Sequence, residues 1–316
     1  MIELYYKDGK KQLVTNTEAI THPQQLVGVW YAASEMQELA PLSELFDLDL
    51  SIFHSTEDIE LSSHYIRTAQ QLAFNITIPS YSEVVQLEEE EFVFIIKKEC
   101  LFCFLSTPIQ QLLAPYQQLE SPNFEHQKAL HWQYFFYQIA IISDYYADLT
   151  ELISSKIKGL YIEILSRRQY REDDLDFITV LKLNNHLIKS SINRFQRILL
   201  LLEKSQLHTS IQEKLRLELQ DLLVVSEHIQ YNFDRLDGLK DNINIKIELE
   251  QNKIFRTLTI ITVCISIPTL IAGIYGMNFQ QMPALHQPYG YWMVLGTMLL
   301  LFVAALLFFK YKKWIR

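Results

Sequence analysis

Apolar positions along this chain change their spacing twice. Up to about residue 107 they come in short β-branched or aromatic runs, at 26–32, 71–78, 92–97 and 101–105, several of them punctuated by Pro or Gly, which predicts strands. Between them, residues 34–50 are rich in Glu, Leu, Met and Ala and predict a helix despite Pro41. No proline lies between Pro122 and Pro268, and Gly159 and Gly238 are the only glycines there, so long helices are expected. Polar stretches at 167–176 and 205–210 mark where one helix would turn back on the next. After Ser210, Leu222, Ile229, Leu236 and Ile243 recur every seven residues, with Leu219, Phe233 and Ile247 interleaved and Ser226 and Lys240 interrupting. Periodicity leaves two readings open for this helix: a coiled-coil-like stalk, or an amphipathic helix packed on its own domain.

Towards the C-terminus, periodic patterning gives way to continuous apolarity. Residues 257–309 hold no Lys, Arg, Asp or Glu, and within them 257–277 and 291–309 match the roughly 20 residues that cross a hydrocarbon core. Two membrane-spanning helices are expected, since a buried soluble hairpin rarely stays uncharged on every face. Lys253 and Arg256 precede the first span, Lys310, Lys312, Lys313 and Arg316 follow the second, and the loop between has no base. This places both termini in the cytoplasm and the chain in a cell membrane. Tyr289, Tyr291, Trp292 and Trp314 fall near span ends, where amphipathic rings favour the interface. The loop, with Pro283 and Pro288, is too short for a domain.

The first span carries a second pattern. Asn252, Thr259, Thr262, Ser266, Thr269, Gly273 and Met277 recur at three- and four-residue steps, apart from a longer first step past Phe255. Such a polar or small stripe suits either the lining of a tube around a symmetry axis or helix–helix packing in lipid.

Composition narrows the partners. The net charge is −9, and because four of the 28 bases follow the apolar segment, the first 256 residues hold 24 basic against 37 acidic side chains. An acidic body argues against nucleic acid as a partner and suits cations better. With three cysteines there is no disulfide framework, and Cys100 and Cys103 sit in a run that reads as strand, with no second pair to complete a metal site. The N-terminus, polar from Glu3 onward, does not read as a secretory signal. No phosphate-binding glycine loop, His-Glu-x-x-His pair or nucleophile–base constellation stands out, so no enzymatic activity and no bound cofactor are expected.

The first span ends in Tyr275-Gly276-Met277-Asn278-Phe279, followed by Met282-Pro283, a short loop, a second span and a Lys-Lys-Trp ending. This resembles the CorA family, in which a Gly-Met-Asn motif closes the first of two C-terminal transmembrane helices. The resemblance is closest over residues 252–316 and extends to the rest in architecture only. It implies an α+β cytoplasmic domain, made of an α/β lobe plus long helices, followed by a long stalk helix and two transmembrane helices. The corresponding parts here are 1–209 for the funnel domain, 210–256 for the stalk, 257–277 and 291–309 for the spans, 278–290 for the extracellular loop and 310–316 for the basic tail. It also implies a homopentamer in a bilayer that conducts Mg²⁺, with cobalt or nickel as further cargo, driven by membrane potential. Gly276, Met277 and Asn278 would form the selectivity element at the outer mouth. Asn252, Phe255, Leu258, Thr262, Ser266 and Thr269 fall on the family's pore positions, and Gly273 continues that stripe.

Family regulation uses cytosolic Mg²⁺ held by carboxylates between neighbouring subunits. Candidates here are Glu88, Glu89, Asp221 and Glu227, although a run such as Glu88–Glu91 also reads as a solvated face. Two positions depart from the family pattern: Ala284 stands where a loop Glu is common, and Phe255 where an aliphatic or Met side chain is usual. Alternatives are a zinc transporter of the same fold, which Met277 disfavours, and a two-pass scaffold or signalling protein, which needs neither motif nor stripe.

Overall fold

The computed structural model describes residues 2–32, 36–54, 64–81, 86–119, 129–166, 172–204, 209–277, 282 and 287–314. The chain divides into two compact units, Met1–Leu239 and Lys240–Arg316.

In the first unit the β-branched and aromatic runs form one seven-stranded sheet. Its strands are β1 (Ile2–Tyr6), β2 (Lys11–Val14), β3 (Leu26–Ala32), β4 (Tyr65–Arg67), β5 (Gln71–Tyr81), β6 (Leu87–Lys97) and β7 (Cys100–Leu105), in the order β2-β1-β3-β7-β6-β5-β4. All neighbours are antiparallel except β3 and β7, which run parallel with Gly28 beside Leu101 and Ala32 beside Leu105. A parallel pair needs a crossover, and β4, β5 and β6 lie in the segment that supplies it.

Among the described residues there are six α-helices: α1 (Ala40–Phe46), α2 (Thr107–Leu119), α3 (Leu130–Ser166), α4 (Glu172–Lys204), α5 (Thr209–Tyr275) and α6 (Gly290–Tyr311). The helix expected over 34–50 is a 3₁₀ turn, Met36–Leu39, leading into the short α1. Pro41 fits only the first turn, and Asp47, left-handed at φ 53°, stops the helix after Phe46.

Alternation along the strands sends residues to two buried faces. Val93, Ile95, Phe102 and Phe104 pack with Leu39, Leu42, Leu48 and Ile52 on one side. On the other, Phe74 and Phe94 meet Phe135 of α3 edge-on, at 5.7 and 5.8 Å between ring centroids. Gly28 is needed on this face because a Cβ there would sit 2.4 Å from the ring of buried Tyr134. Tyr146 on α3 donates to the Thr77 carbonyl at 2.7 Å, and Ser191 on α4 lies 3.0 Å from the Thr77 hydroxyl, so both helices are tied to β5.

Within this unit the seam of α5 packs on its own domain. Leu222, Ile229 and Leu236 are fully buried in the single chain, and the His186 ring of α4 meets Phe233 at a tilt, 4.5 Å between centroids. An amide chain crosses three helices at one level. Ser154 of α3 donates to Asn232 of α5 at 2.9 Å, Asn232 donates to Asn185 of α4 at 3.5 Å, and Asn185 donates to the Leu181 carbonyl at 2.9 Å. Cys100 and Cys103 lie buried in β7, where burial pushes both thiols up, away from the thiolate that redox or metal chemistry requires.

Candidate functional site

The second unit is an antiparallel pair made by the C-terminal part of α5 and by α6. Ile260, Val263 and Cys264 of α5 pack against Phe302, Ala305, Leu306 and Phe309 of α6. Little else on these helices is covered: in the most apolar window of each, only 11% and 6% of residues are buried. A soluble core helix would be mostly buried. Two long uncharged helices with bare flanks fit membrane spans, where lipid covers the exposed side chains.

Two residues along an α-helix is about 200° around its axis. Thr262 and Ser266 therefore point away from Ile260 and Cys264, which face α6. The rest of the stripe is exposed as well: Asn252, Phe255, Leu258, Thr262, Ser266, Thr269 and Gly273 all are, with Phe255 at 64% and Leu258 at 57%. One chain thus sets the Thr262–Ser266–Thr269–Gly273 face of α5 opposite the face packed on α6, and leaves it without a packing partner among the described residues.

The hydroxyls on this helix have settled geometry. Thr259 donates to the Phe255 carbonyl at 2.8 Å, Ser266 to Val263 at 3.1 Å and Thr269 to Ile265 at 2.8 Å. Helix α5 closes at Tyr275, with the Gly276 amide bonded to the Ala272 carbonyl at 2.8 Å and Met277 to Ile274 at 3.3 Å. Gly276 and Met277 are exposed at this end, whereas Asn278 and Ala284 lie outside the described residues.

The carboxylate candidates are dispersed. Glu88 and Glu89 are exposed on β6, where the Ser191 hydroxyl donates to Glu89 at 3.3 Å. Asp221 and Glu227 are exposed on α5. Among the described residues of one chain, no three His, Cys, Asp or Glu side chains gather as a metal site.

At the other end of the pair, α6 closes in a Schellman turn. The Lys313 backbone is left-handed at φ 57°, and the Trp314 amide bonds the Phe309 carbonyl at 3.0 Å. This turns the chain back, so the Trp314 ring lies 5.7 Å from Phe309 and under the Arg256 guanidinium at 5.9 Å. Sequence spacing carried no sign of this contact, because the left-handed position is held by Lys rather than by Gly.

Comparison with known proteins agrees with this architecture. The magnesium transport protein CorA of Campylobacter jejuni is 28% identical to this chain across the full length of both. That of Wolinella succinogenes is 28% identical over 88% of each. The complete structure of the CorA magnesium transporter from Methanocaldococcus jannaschii superposes with a TM-score of 0.80 at 18% identity, covering 99% of this chain and 98% of that one, which speaks to the fold. The family described as CorA-like Mg²⁺ transporter protein matches residues 26–313, nearly the whole chain. This chain is a member of the CorA-like Mg²⁺ transporter family.

Proposed function

We propose that this chain conducts Mg²⁺ through a membrane pore lined by the Thr262–Ser266–Thr269–Gly273 face of α5, contributed by several copies around one axis. The observation that carries this reading is the opposition of faces on α5. Its apolar face is occupied by α6, and its polar face, ending at Gly276 and Met277, is left bare. Polar side chains in a spanning helix face a bundle interior or water rather than lipid. Five copies, with α6 as the outer ring and both termini in the cytoplasm, satisfy that requirement and the placement of the bases.

The chemistry fits a hydrated ion. Mg²⁺ loses water reluctantly, so a mouth that offers neutral oxygens, from Asn278 and the Gly276 and Met277 carbonyls, hydrogen-bonds the retained shell without trapping the ion. Inward movement of a divalent cation yields about 4.6 kcal/mol per 100 mV of potential, twice the value for one charge. Phe255 and Leu258, bulky and exposed, form the cytoplasmic constriction, which closes by dewetting. Glu88, Glu89, Asp221 and Glu227 supply regulatory carboxylates between copies.

The test is Mg²⁺ uptake into proteoliposomes holding the purified chain, with and without an inside-negative potential, for wild type and Asn278→Ala. Potential-driven uptake that Asn278→Ala abolishes is expected, and competition by Co²⁺, Ni²⁺ and Zn²⁺ then ranks the cargo. Absence of flux from folded assemblies at every internal Mg²⁺ level would sink the assignment.

A further inference from the structure

The charged residues at the end of the helix pair where α5 enters the apolar segment are nearly all basic. Lys253 and Arg256 are three residues apart on α5, and Lys310, Lys312 and Lys313 cluster at the end of α6. The Schellman turn that follows this second group folds Trp314 back, and Arg256 lies over Trp314 at 5.9 Å, so both groups belong to one end of the pair. Glu250, three residues before Lys253, is the nearest acid in sequence. Among the described residues none of the five cations forms an ion pair, and all five are exposed.

Two features show that this charge is not incidental to the fold. The left-handed residue of a Schellman turn is most easily glycine, which meets no steric penalty there. Here Lys313 occupies it at φ 57° and keeps a cation at the turn. The ring held between Phe309 and Arg256 is Trp, half-exposed at 45%, the side chain that prefers the headgroup layer of a bilayer.

We infer that Arg256, Lys310, Lys312, Lys313 and Trp314 form a binding site for the headgroup of an anionic phospholipid in the leaflet where α5 enters the membrane. The cations meet the phosphate, the indole sits at the level of the glycerol, and the lipid ties the two helix ends together. Clusters of four or more bases beside a spanning helix attract anionic lipid in this way, by about fivefold for each cation near the surface. This inference rests on the two-span reading.

The full chain, reconstituted in vesicles, tests it through quenching of Trp314 by lipids brominated on their acyl chains. The Trp314 signal is the difference between wild type and Trp314→Phe. Brominated phosphatidylglycerol is expected to be preferred over brominated phosphatidylcholine by about fivefold or more. That preference should fall close to unity in a variant carrying Arg256→Gln, Lys310→Gln, Lys312→Gln and Lys313→Gly, in which glycine eases the turn so that loss of preference cannot come from strain. Equal quenching by the two lipids in wild type, or a preference that survives in the quadruple variant, overturns the site. Displacement of the preference by soluble glycerol phosphate would assign the cations to a free anion and overturn the lipid. Trp292, near the opposite end of α6, serves as control: if neither brominated lipid quenches it or Trp314, the spans themselves are refuted and this site with them.

Discussion

Glu91 shows how one residue in an acidic run can differ from its neighbours. Glu88 and Glu89 are exposed, but Glu91 is half-buried opposite Thr77 on β5, and burial raises its carboxyl above the usual range, with the charges of Arg194 and His64 only partly offsetting this. A carboxyl whose folded-state pKa is raised favours the fold while protonated. That contribution is lost as pH rises from the ordinary glutamate range through the folded value. Glu91→Gln should therefore raise the melting temperature of the detergent-solubilised chain at pH 7 relative to wild type, with the gap closing below about pH 4. A gap that widens on acidification would contradict burial as the cause. The four consecutive glutamates read in sequence as a uniform solvated face; only the pairing of β6 with β5 separates them.

Asn232, Asn185 and Ser154 fix the three long helices of the first unit against one another along their axes. Apolar seams resist separation but tolerate sliding by a turn, whereas a buried amide accepts only the register in which its partners meet it. Asn232→Ala strands the Ser154 hydroxyl and one side of Asn185. It should cost about 1–3 kcal/mol, seen as a lower denaturation midpoint, and a midpoint unchanged from wild type would show the amide chain to be dispensable. This layer could not be read from periodicity, which registers apolar positions and treats a buried Asn as an interruption.

Elsewhere at this scale the sequence was informative in proportion to how local the determinants are. Strands β3, β5, β6 and β7 follow from β-branched runs, and α3, α4 and α5 from the absence of breakers. The hairpin of β1 and β2 is faint in the sequence because its strands are short and carry Glu3, Lys11 and Gln12; its one local sign is Asp8-Gly9, with Gly9 at φ 81°. Helix α2 was hidden by Pro115 inside it. The parallel β3–β7 pair was out of reach, since pairing between strands so distant in sequence depends on the whole sheet. At the candidate site, the stripe on α5 was legible because it has a period, and the return of Trp314 to Arg256 was not, because it hangs on one backbone angle.

For the whole molecule, the two units solve opposite problems. The first buries its apolar seam inside one chain; the second leaves nearly all of its apolar surface bare. The second is the unit whose bare flanks a bilayer covers and, in the proposed pore, further copies. Thr269→Cys, on the polar face of α5, should give disulfide-linked dimers on oxidation, alongside a five-chain mass for the intact assembly in native mass spectrometry. Leu299→Cys on α6, 66% exposed and in the outer ring of the proposed pore, should not cross-link. Linkage at Leu299 without linkage at Thr269 would turn the arrangement inside out and end the pore reading.

The hydroxyls of Thr259, Ser266 and Thr269 have their protons committed to carbonyls of their own helix. What they present outward is lone pairs alone. Water around a cation turns its hydrogens away from the ion, and water around an anion turns its oxygens away. In a passage lined by this face, the hydration shell of a cation finds acceptors for those hydrogens, while that of chloride meets further oxygens. Such a wall distinguishes the sign of an ion by the orientation of the water it carries, with no fixed charge to hold a divalent ion in place.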